Sequence, residues 1–491
     1  MDFLVVFLLL LFILTVVQAL QVASARSKNL PPGPTPLPLV GSLHLLGDQP
    51  HKSLAGLARR HGPLMCLRLG FINTVVVSSS AMAKEVLQKQ DMAFSSRTVP
   101  DAIHAHDQFR YSVVWLPVAS RWRSLRKVMN SNIFAGSRLD ANQHLRRRKV
   151  QELIAYCRKN SQTGEPVDVG RAAFRTSLNL LSNTIFSKDL TDPFSDSAKE
   201  FKELVWNIML DAGKPNLVDF FPVLQKIDPQ GIRRRMTIHF GKVIELFDGL
   251  INERIESRKS ENGAAGDVID VLLGENSDEI DRTHIERMCL DLFVAGTDTT
   301  SNTVEWAMAE ALRDPATMRR AKAELEEVIG KGKMIGEADV SRLPYLRCMV
   351  KETLRLHPPV PFLIPRRVEH DVAVAGYTVP KNSQVFVNAW AIGRDPDAWE
   401  SPLEFKPERF LQSEIDMRGR DFELIPFGAG RRICPGLPLA VRMVPVMLGS
   451  LLNSFDWKLA GGIEPKELDM EEKFGITIQK AQPLRAVPTP L

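Results

Sequence analysis

Phe427-Gly428-Ala429-Gly430-Arg431-Arg432-Ile433-Cys434-Pro435-Gly436 is the most informative stretch of this 491-residue chain. A lone cysteine is usually a small buried hydrophobe. Here the glycines permit a tight loop with close backbone approach to a bulky group, and the apolar run Leu439–Leu452 that follows has the length of a helix. Backbone N–H groups and the positive end of that helix favour thiolate over thiol. The stretch therefore predicts a dry thiolate that needs a cation beside it. Iron is the natural one. A zinc site is disfavoured, because no second cysteine or histidine lies at zinc-ligand spacing.

The N-terminus carries a long uncharged run. Residues 3–25 contain no charged side chain and are long enough to cross a bilayer as a helix, whereas the apolar core of a cleaved signal peptide has only about 7 to 15 residues. Asp2 precedes the run, and Arg26 and Lys28 follow it. The positive-inside rule then places the N-terminus in the lumen and the rest of the chain in the cytosol. We expect residues 1–30 to be an uncleaved anchor with a basic flank.

The rest of the chain has a globular composition. Residues 31–38 are rich in proline and predict a stiff, extended spacer. Hydrophobic content of 44% and charged content of 25% allow a large core, and a net charge of +5 on this length does not favour nucleic acid as a partner. Five scattered cysteines predict free thiols in a reducing compartment. Two strand-like runs, Leu64–Leu69 and Thr74–Ser78, predict a hairpin that turns at Asn73.

Ala295-Gly296-Thr297-Asp298-Thr299-Thr300 interrupts a helical pattern that runs from Ile285 to Leu312. A glycine inside a helix costs about 1 kcal/mol, and a buried carboxylate costs more unless it is paired. One interpretation is a break between two helices, with Asn302 and Glu305 as a capping box. The other is one continuous helix, on which Ala295 and Thr299 share a face at i,i+4.

The spacing F-x-x-G-x-R-x-C-x-G resembles the haem-binding loop of the cytochrome P450 family. This resemblance implies that Cys434 is the axial thiolate ligand of the iron in haem b and that Arg432 reaches a haem propionate. The family also has W-x-x-x-R where this chain has Trp122 and Arg126, and both side chains would hold propionates. Arg366 matches a further propionate contact.

The same resemblance extends to other motifs. A-G-x-D-T-T is the oxygen-binding segment of the family, so Asp298 would relay protons from solvent and the hydroxyl of Thr299 would point into the space over the haem. Glu352, Arg355 and Arg409 match the Glu-Arg-Arg triad of the family, a buried structural network.

The resemblance implies a mainly α fold with minor β (α+β), the cytochrome P450 fold, with one large catalytic domain at residues 39–491 behind the anchor. It further implies a single-pass protein of the endoplasmic reticulum membrane with a cytosolic catalytic domain. No glycine-rich dinucleotide fingerprint follows a strand, so electrons from NADPH are expected through a separate partner, NADPH-cytochrome P450 reductase. Arg123 and Lys127 could form the face that docks this acidic donor.

Three further stretches narrow the resemblance to plant microsomal members of the family that hydroxylate small terpenoids: Trp115–Trp122, Cys434–Ala440 and Phe474–Thr477. By family position, the pocket would draw on His104–Tyr111, Leu292–Ala295, Val360–Ile364 and Phe474–Ile476. The last three segments are apolar, which favours a small hydrophobic substrate. The first holds His104, His106 and Gln108 and is where we expect a substrate hydroxyl to bind. Such a pocket discriminates one or two methylenes by only about 1 to 3 kcal/mol, so other terpenoids or phenolics remain alternatives.

Two other functions fit a haem-thiolate site. One is an isomerase or dehydratase that needs no oxygen; the presence of both Asp298 and Thr299 argues against it, and turnover without NADPH would support it. The other is a haem-binding sensor or carrier without catalysis. An apolar pocket with a proton relay argues against that function, and oxygen consumption with candidate substrates would decide.

Overall fold

The computed structural model describes residues 29–192, 197–260, 267–274 and 280–491. The anchor predicted within residues 1–30 lies almost wholly outside this part of the chain. Among the described residues, one helix, Leu437–Ser454, has the length and composition to cross a membrane. It is a core helix, because 67% of it is buried inside the protein.

The fold is mainly helical. In chain order, the α-helices of the described residues are α1 Pro50–His61, α2 Ser80–Lys84, α3 Ser120–Asn132, α4 Gly136–Ala141, α5 Gln143–Thr163, α6 Val169–Phe186, α7 Ser197–Gly213, α8 Leu217–Phe220, α9 Ile232–Ser260, α10 Val268–Gly274, α11 Arg282–Arg313, α12 Pro315–Val328, α13 Pro344–Leu356, α14 Ala389–Ile392 and α15 Leu437–Ser454. Two short 3₁₀ turns lie within Asp101–Arg110 and are separated by the non-helical residues Ala105, His106 and Asp107.

Strands are short and form a minor part of the structure, as expected. They are β1 Leu64–Leu69, β2 Ile72–Val77, β3 Ser96–Arg97, β4 Val167–Asp168, β5 Arg366–Arg367, β6 Val372–Val374, β7 Tyr377–Val379, β8 Gln384–Val387, β9 Phe455–Leu459, β10 Glu472–Phe474, β11 Ile478–Lys480 and β12 Arg485–Pro490. The largest sheet has the order β1-β2-β8-β5-β3 and is mixed, since β2 pairs with β8 in parallel. The two strands of a C-terminal hairpin, β10 and β11, pair with each other.

The predicted β1–β2 hairpin is confirmed, but its turn is not at Asn73. Asn73 pairs with Arg68 inside the ladder, and the turn lies at Gly70 and Phe71. Gly70 takes a φ of 56°, in the left-handed region that glycine enters without steric cost. The turn therefore falls at the residue best suited to it.

Helix α11 crosses the core without a break and packs against α6 and α15. The interpretation as two helices is wrong, because Asn302 donates to Asp298 and Glu305 accepts the N–H of Leu484, so neither side chain caps a helix start. Gly296 is explained by packing: a Cβ there would lie 2.9 Å from Cδ1 of Leu181 on α6. The glycine lets these two helices approach closely.

Candidate active site

The loop that carries Cys434 closes on itself before α15 begins. The N–H of Cys434 donates to the carbonyl oxygen of Phe427 at 3.0 Å, and Gly428 and Gly430 take φ values of 69° and 67°. A side chain on Gly430 could not fit, since its Cβ would lie 2.2 Å from the carbonyl oxygen of Leu87. The sequence thus fixes this loop through two glycines in left-handed conformation.

The sulfur of Cys434 accepts the backbone N–H groups of Gly436 and Leu437, as the sequence predicted for this position. Burial nevertheless raises the pKa of the Cys434 thiol above its usual value, against the opposing effect of these N–H groups and of Arg126. Hydrogen bonds alone do not offset the desolvation of a thiolate. A cation in direct contact with the sulfur would offset it, and a haem iron held by Cys434 would supply that cation.

Cys434 borders a large apolar cavity. One wall is the face of α11 that bears Ala295, Thr299 and Thr303, and further walls come from the cysteine loop and from the segment Val360–Ile364. Of the four segments predicted to form the substrate pocket, Leu292–Ala295 and Val360–Ile364 contribute to this cavity. Apolar side chains dominate its lining, so it suits a flat hydrophobic group and a hydrophobic ligand.

Four arginines line one side of this cavity and are called the arginine wall: Arg97, Arg126, Arg366 and Arg432. Their guanidinium groups donate to backbone carbonyls, for example Arg126 to Ile433 at 2.9 Å. The remaining arginine bonds go from Arg97 to Ile364 and Val114, from Arg366 to Phe94, and from Arg432 to Ser95, Val113 and Leu116.

In the part of the chain that the structure describes, these arginines have almost no close anionic partner. Among the described residues, the only carboxylate within 4 Å of any of them is Asp91, at 3.9 Å from Arg366. Burial lowers the pKa of Arg366 to about 10, and burial together with repulsion by Arg366 and Arg126 lowers that of Arg432 to about 9. Buried like charges without counter-charges are unfavourable. The two haem propionates, each with one negative charge, would relieve that cost at this wall, so the donor set fits haem.

Trp122 and Arg126 lie on one face of α3, as the i,i+4 spacing predicted, and both line the cavity. The indole of Trp122 lies against two guanidinium groups, with its ring centre 5.6 Å from Cζ of Arg126 and 4.9 Å from Cζ of Arg432. Its Nε1–H donates to the carbonyl of Val113 at 3.1 Å. A contact of Trp122 with a propionate therefore stays a prediction, whereas its stacking on the arginines is part of the fold.

Thr299 lies at the cavity wall, four residues after Ala295, whose carbonyl accepts the threonine hydroxyl at 2.7 Å. Asp298 lies one residue round the helix and is fully buried among other side chains. Its carboxylate accepts hydrogen bonds from Thr477 at 2.7 Å and Gln479 at 2.6 Å, and burial raises its pKa. A direct path from Asp298 to solvent does not follow from these contacts, so its relay role stays a prediction. The hydrogen bonds of Asp298 to Thr477 and Gln479 connect α11 to the C-terminal hairpin.

Asp291 lines the same cavity and was missed by sequence reasoning. It precedes Ala295 by four residues on the same helical face, a spacing that could have revealed it. Its carboxylate accepts from Ser112 Oγ at 2.8 Å, from the N–H of Val113 at 2.9 Å and from Gln108 at 3.2 Å. Burial raises the pKa of Asp291 to about 7. It holds the segment before α3 against α11.

The substrate hydroxyl site expected at His104, His106 and Gln108 stays a prediction. None of these side chains is among the residues that line the cavity. His106 bonds to the carbonyl of Thr237 and Gln108 Nε2 donates to Asp291, whereas His104 Nδ1 and Gln108 Oε1 are buried without a partner among the described residues. Arg97 was also missed, and no local sequence pattern marks it.

The fold, the buried cysteine loop and the arginine wall define a haem-thiolate protein. The family model "Cytochrome P450" matches residues 31–485, and the chain belongs to the cytochrome P450 family. The predicted mainly α fold with minor β is confirmed. The chain is a cytochrome P450 monooxygenase, whose cofactor is haem with a cysteine thiolate ligand and whose electrons come from NADPH through a reductase. Its substrate is hydrophobic, and plant members of the family are typically bound to a membrane.

Comparison with individual proteins shows which members of the family this chain is similar to. The chain is 74% identical to the geraniol 8-hydroxylase of Swertia mussotii, over 100% of this chain and 99% of the relative. It is also 74% identical to the geraniol 8-hydroxylase of Catharanthus roseus, over the full length of both. The 7-ethoxycoumarin O-deethylase of Helianthus tuberosus is 60% identical over both full lengths. A zebra fish cytochrome P450 solved with progesterone has a TM-score of 0.74 at 25% identity and covers 90% of this chain and 99% of its own.

Proposed function

We propose that this chain hydroxylates geraniol at the terminal allylic methyl group remote from the alcohol, giving 8-hydroxygeraniol for monoterpene and iridoid biosynthesis. The observation that carries this proposal is the identity of 74%, over the full chain, to two enzymes named geraniol 8-hydroxylase. The apolar lining beside Cys434 supports it, since a ten-carbon chain with one hydroxyl gains most of its affinity from apolar burial.

We assign roles to the residues at the cavity as follows. Cys434 would bind the haem iron as thiolate, and Arg126, Arg366 and Arg432 would hold the propionates. Trp122 lies against Arg126 and Arg432, and Thr299 and Asp298 would handle protons. When bound, haem activates dioxygen with the electrons that NADPH supplies through the reductase. The chain supplies a dry apolar wall, a fixed thiolate and a hydroxyl at Thr299 that holds a proton donor on the face of α11.

The test is direct incubation of geraniol with the enzyme, reductase and NADPH in microsomes, with products identified by mass spectrometry. We expect 8-hydroxygeraniol as the main product, and none when NADPH is omitted. 7-Ethoxycoumarin, the substrate in the name of the 60% identical relative, is the comparison substrate. Absence of 8-hydroxygeraniol would overturn the substrate assignment, and a higher kcat/KM for 7-ethoxycoumarin would favour a phenolic ether instead.

Thr299→Ala is expected to uncouple turnover. NADPH and oxygen are still consumed, but hydrogen peroxide rises and hydroxylated product falls, because the hydroxyl that holds the proton donor is gone. A positioned proton-transfer group contributes about 10²- to 10⁴-fold, so product per NADPH should fall by about tenfold or more. Thr297→Ala is the matched control, since Thr297 makes the same type of bond to the carbonyl of Phe293 but does not line the cavity. Unchanged coupling in Thr299→Ala would remove Thr299 from this role.

We further propose that the protein is a single-pass protein of the endoplasmic reticulum membrane and rests on it through an exposed apolar surface. Leu39, Phe71, Val223 and Ile227 form this surface, with Val223 and Ile227 exposed by 78% and 67%. It adjoins the spacer after the predicted anchor, because the N–H of Gly70 donates to the carbonyl of Val40.

Removing residues before Pro31 should therefore weaken membrane binding, and adding Val223→Asp and Ile227→Asp should abolish it. Flotation with liposomes measures both effects. Full retention of the truncated double variant on the liposomes would contradict the proposal. The partner that supplies electrons is proposed to dock on α3. Arg123 and Lys127 are exposed on this helix, which also carries Arg126 at the cavity, so their positive charges support docking of an acidic reductase close to the haem site.

A further inference from the structure

A second, smaller cavity adjoins the one beside Cys434. It has a volume of about 90 Å³, room for several water-sized groups, and lies between α8, the largest sheet and the turn after β10. Leu363 lines both cavities, and the consecutive residues Ile364 and Pro365 line the first and the second respectively. Phe474–Ile476, predicted as part of the substrate pocket, lines this second cavity. The predicted pocket is thus divided between two neighbouring spaces.

The second cavity contains a buried donor without a partner. Asn216 is 2% exposed and lines the cavity. Its Oδ1 accepts the N–H of Val218 at 3.1 Å, which fixes the orientation of the amide and leaves Nδ2 as the free atom. Nδ2 has no hydrogen-bond partner among the residues that the structure describes. A buried N–H group without a partner is unfavourable, so this atom is poised for a ligand oxygen.

An acceptor lies one turn away on the same segment. Asp219 also lines the cavity, and its N–H donates to the carbonyl of Asn216 at 3.0 Å. One oxygen of its carboxylate accepts the N–H of Asp101 at 2.6 Å. The other carboxylate oxygen of Asp219 can accept a further hydrogen bond. Burial raises the pKa of Asp219 to about 7. A hydroxyl group both accepts and donates one hydrogen bond, and Asn216 with Asp219 offers the complementary pair.

We propose that this second cavity binds the hydroxyl end of an alcohol substrate, with Asn216 Nδ2 donating to the hydroxyl oxygen and Asp219 accepting its proton. The carbon chain then passes Leu363 and presents its remote end beside Cys434. This inference rests on the proposed function for the identity of the alcohol. It gives the physical reason for attack at the far end of the chain, because the polar anchor lies outside the cavity that holds the cysteine.

Polar groups in the main cavity compete poorly for this role. Asp291 already accepts bonds from three residues, and the hydroxyl of Thr299 donates to Ala295. Ser177 is an exception, since its buried hydroxyl lines the main cavity and has no partner among the described residues. A hydroxyl bound there would share the cavity with Cys434 rather than lie beyond Leu363. Ser177 is therefore the competing site that the experiment has to separate.

The experiment compares Asn216→Ser with Ser177→Ala in the purified holoenzyme. Serine keeps the helix cap at position 216 but withdraws the donor from the cavity. Calorimetry measures the Kd for geraniol and for 2,6-dimethylocta-2,6-diene, the same skeleton without the hydroxyl. We expect Asn216→Ser to weaken geraniol binding about 3- to 10-fold, the effect of one neutral hydrogen bond, and to leave the hydrocarbon unchanged. With geraniol as substrate, hydroxylation should spread over several carbons.

Three results would overturn the subsite: equal weakening of both ligands, no change in either, or selective loss in Ser177→Ala instead. Asp219→Asn, of the same size, is the second variant and should also weaken geraniol selectively, which keeps the test decisive if Asn216→Ser folds poorly. Failure of the proposed function is distinguishable. If wild-type enzyme makes no 8-hydroxygeraniol but its preference for the alcohol depends on Asn216, the subsite stands and the reaction assignment falls. If 8-hydroxygeraniol forms but the preference for the alcohol does not depend on Asn216, the reaction assignment stands and the subsite falls.

Discussion

Cys434→Ser is expected to abolish the thiolate-type carbon monoxide difference spectrum and all monooxygenation. The change replaces one atom in a loop that is fixed by other groups, namely the bond from the Cys434 N–H to Phe427 and the two glycines with positive φ. The loop should therefore keep its shape. A serine hydroxyl does not ionise in this buried position, so the anionic sulfur donor is lost while the cavity remains.

The matched control for this experiment is Cys66→Ser, because Cys66 is a partly buried thiol on β1 outside the cavity. Burial raises the pKa of Cys66 to about 12, so it is an inert structural thiol, and its variant should keep a normal spectrum. Reduced difference spectra and product formation are measured on both proteins. A thiolate-type spectrum or wild-type activity in Cys434→Ser would show that another group is the ligand.

The features that sequence predicted well are those that short spacing determines. The cysteine loop depends on glycines and prolines within ten residues, and the shared face of Ala295 and Thr299 follows from the pitch of one helix. The sequence left the continuity of α11 open because glycine disfavours a helix locally. Tertiary packing decides the matter, since a Cβ at Gly296 would lie 2.9 Å from Cδ1 of Leu181 on α6.

The features that sequence missed depend on contacts between distant segments. Arg97 joins the arginine wall because β3 pairs with β5, which carries Arg366. Asn216 is a buried donor at the second cavity, without a partner among the described residues, and its local sequence does not reveal this. The polar loop at His104–Gln108 looked available for a ligand, yet its contacts with Thr237 and Asp291 lie 131 and 183 residues away in sequence. Whether a polar side chain is already satisfied is a property of the fold.

Glu352 and Arg355 combine a short sequence spacing, which sequence reveals, with burial and long-range contacts, which only the fold reveals. E-x-x-R alone is a common surface pair, but here both side chains are fully buried and bond in a bidentate manner at 2.7 and 2.8 Å. Arg409 adds its Nε at 3.0 Å from Glu352, which confirms the predicted triad. Arg355 also donates to the carbonyls of Gly393, Pro402 and Glu404. The network ties α13 to the segment that leads toward the cysteine loop.

Glu352→Ala and Arg355→Ala are therefore each expected to give little haem-loaded protein. Glu352→Ala leaves Arg355 buried without its carboxylate, and Arg355→Ala leaves the buried Glu352 with Arg409 alone. Breaking a buried pair costs roughly 3 to 5 kcal/mol, a large fraction of the about 5 to 15 kcal/mol that stabilises a typical folded protein. The matched control is Arg342→Ala, because Arg342 pairs with Asp339 at the same i,i+3 spacing on the surface, where an ion pair contributes only about 0 to 1 kcal/mol. The fraction of purified protein that gives a carbon monoxide difference spectrum, and the thermal unfolding midpoint of that fraction, measure the effect. If either triad variant gave holoenzyme with the yield and unfolding midpoint of the wild type, the buried network would not stabilise the domain. If only the triad variants lose haem and Arg342→Ala keeps it, haem retention depends on the burial of the ion pair rather than on its charge.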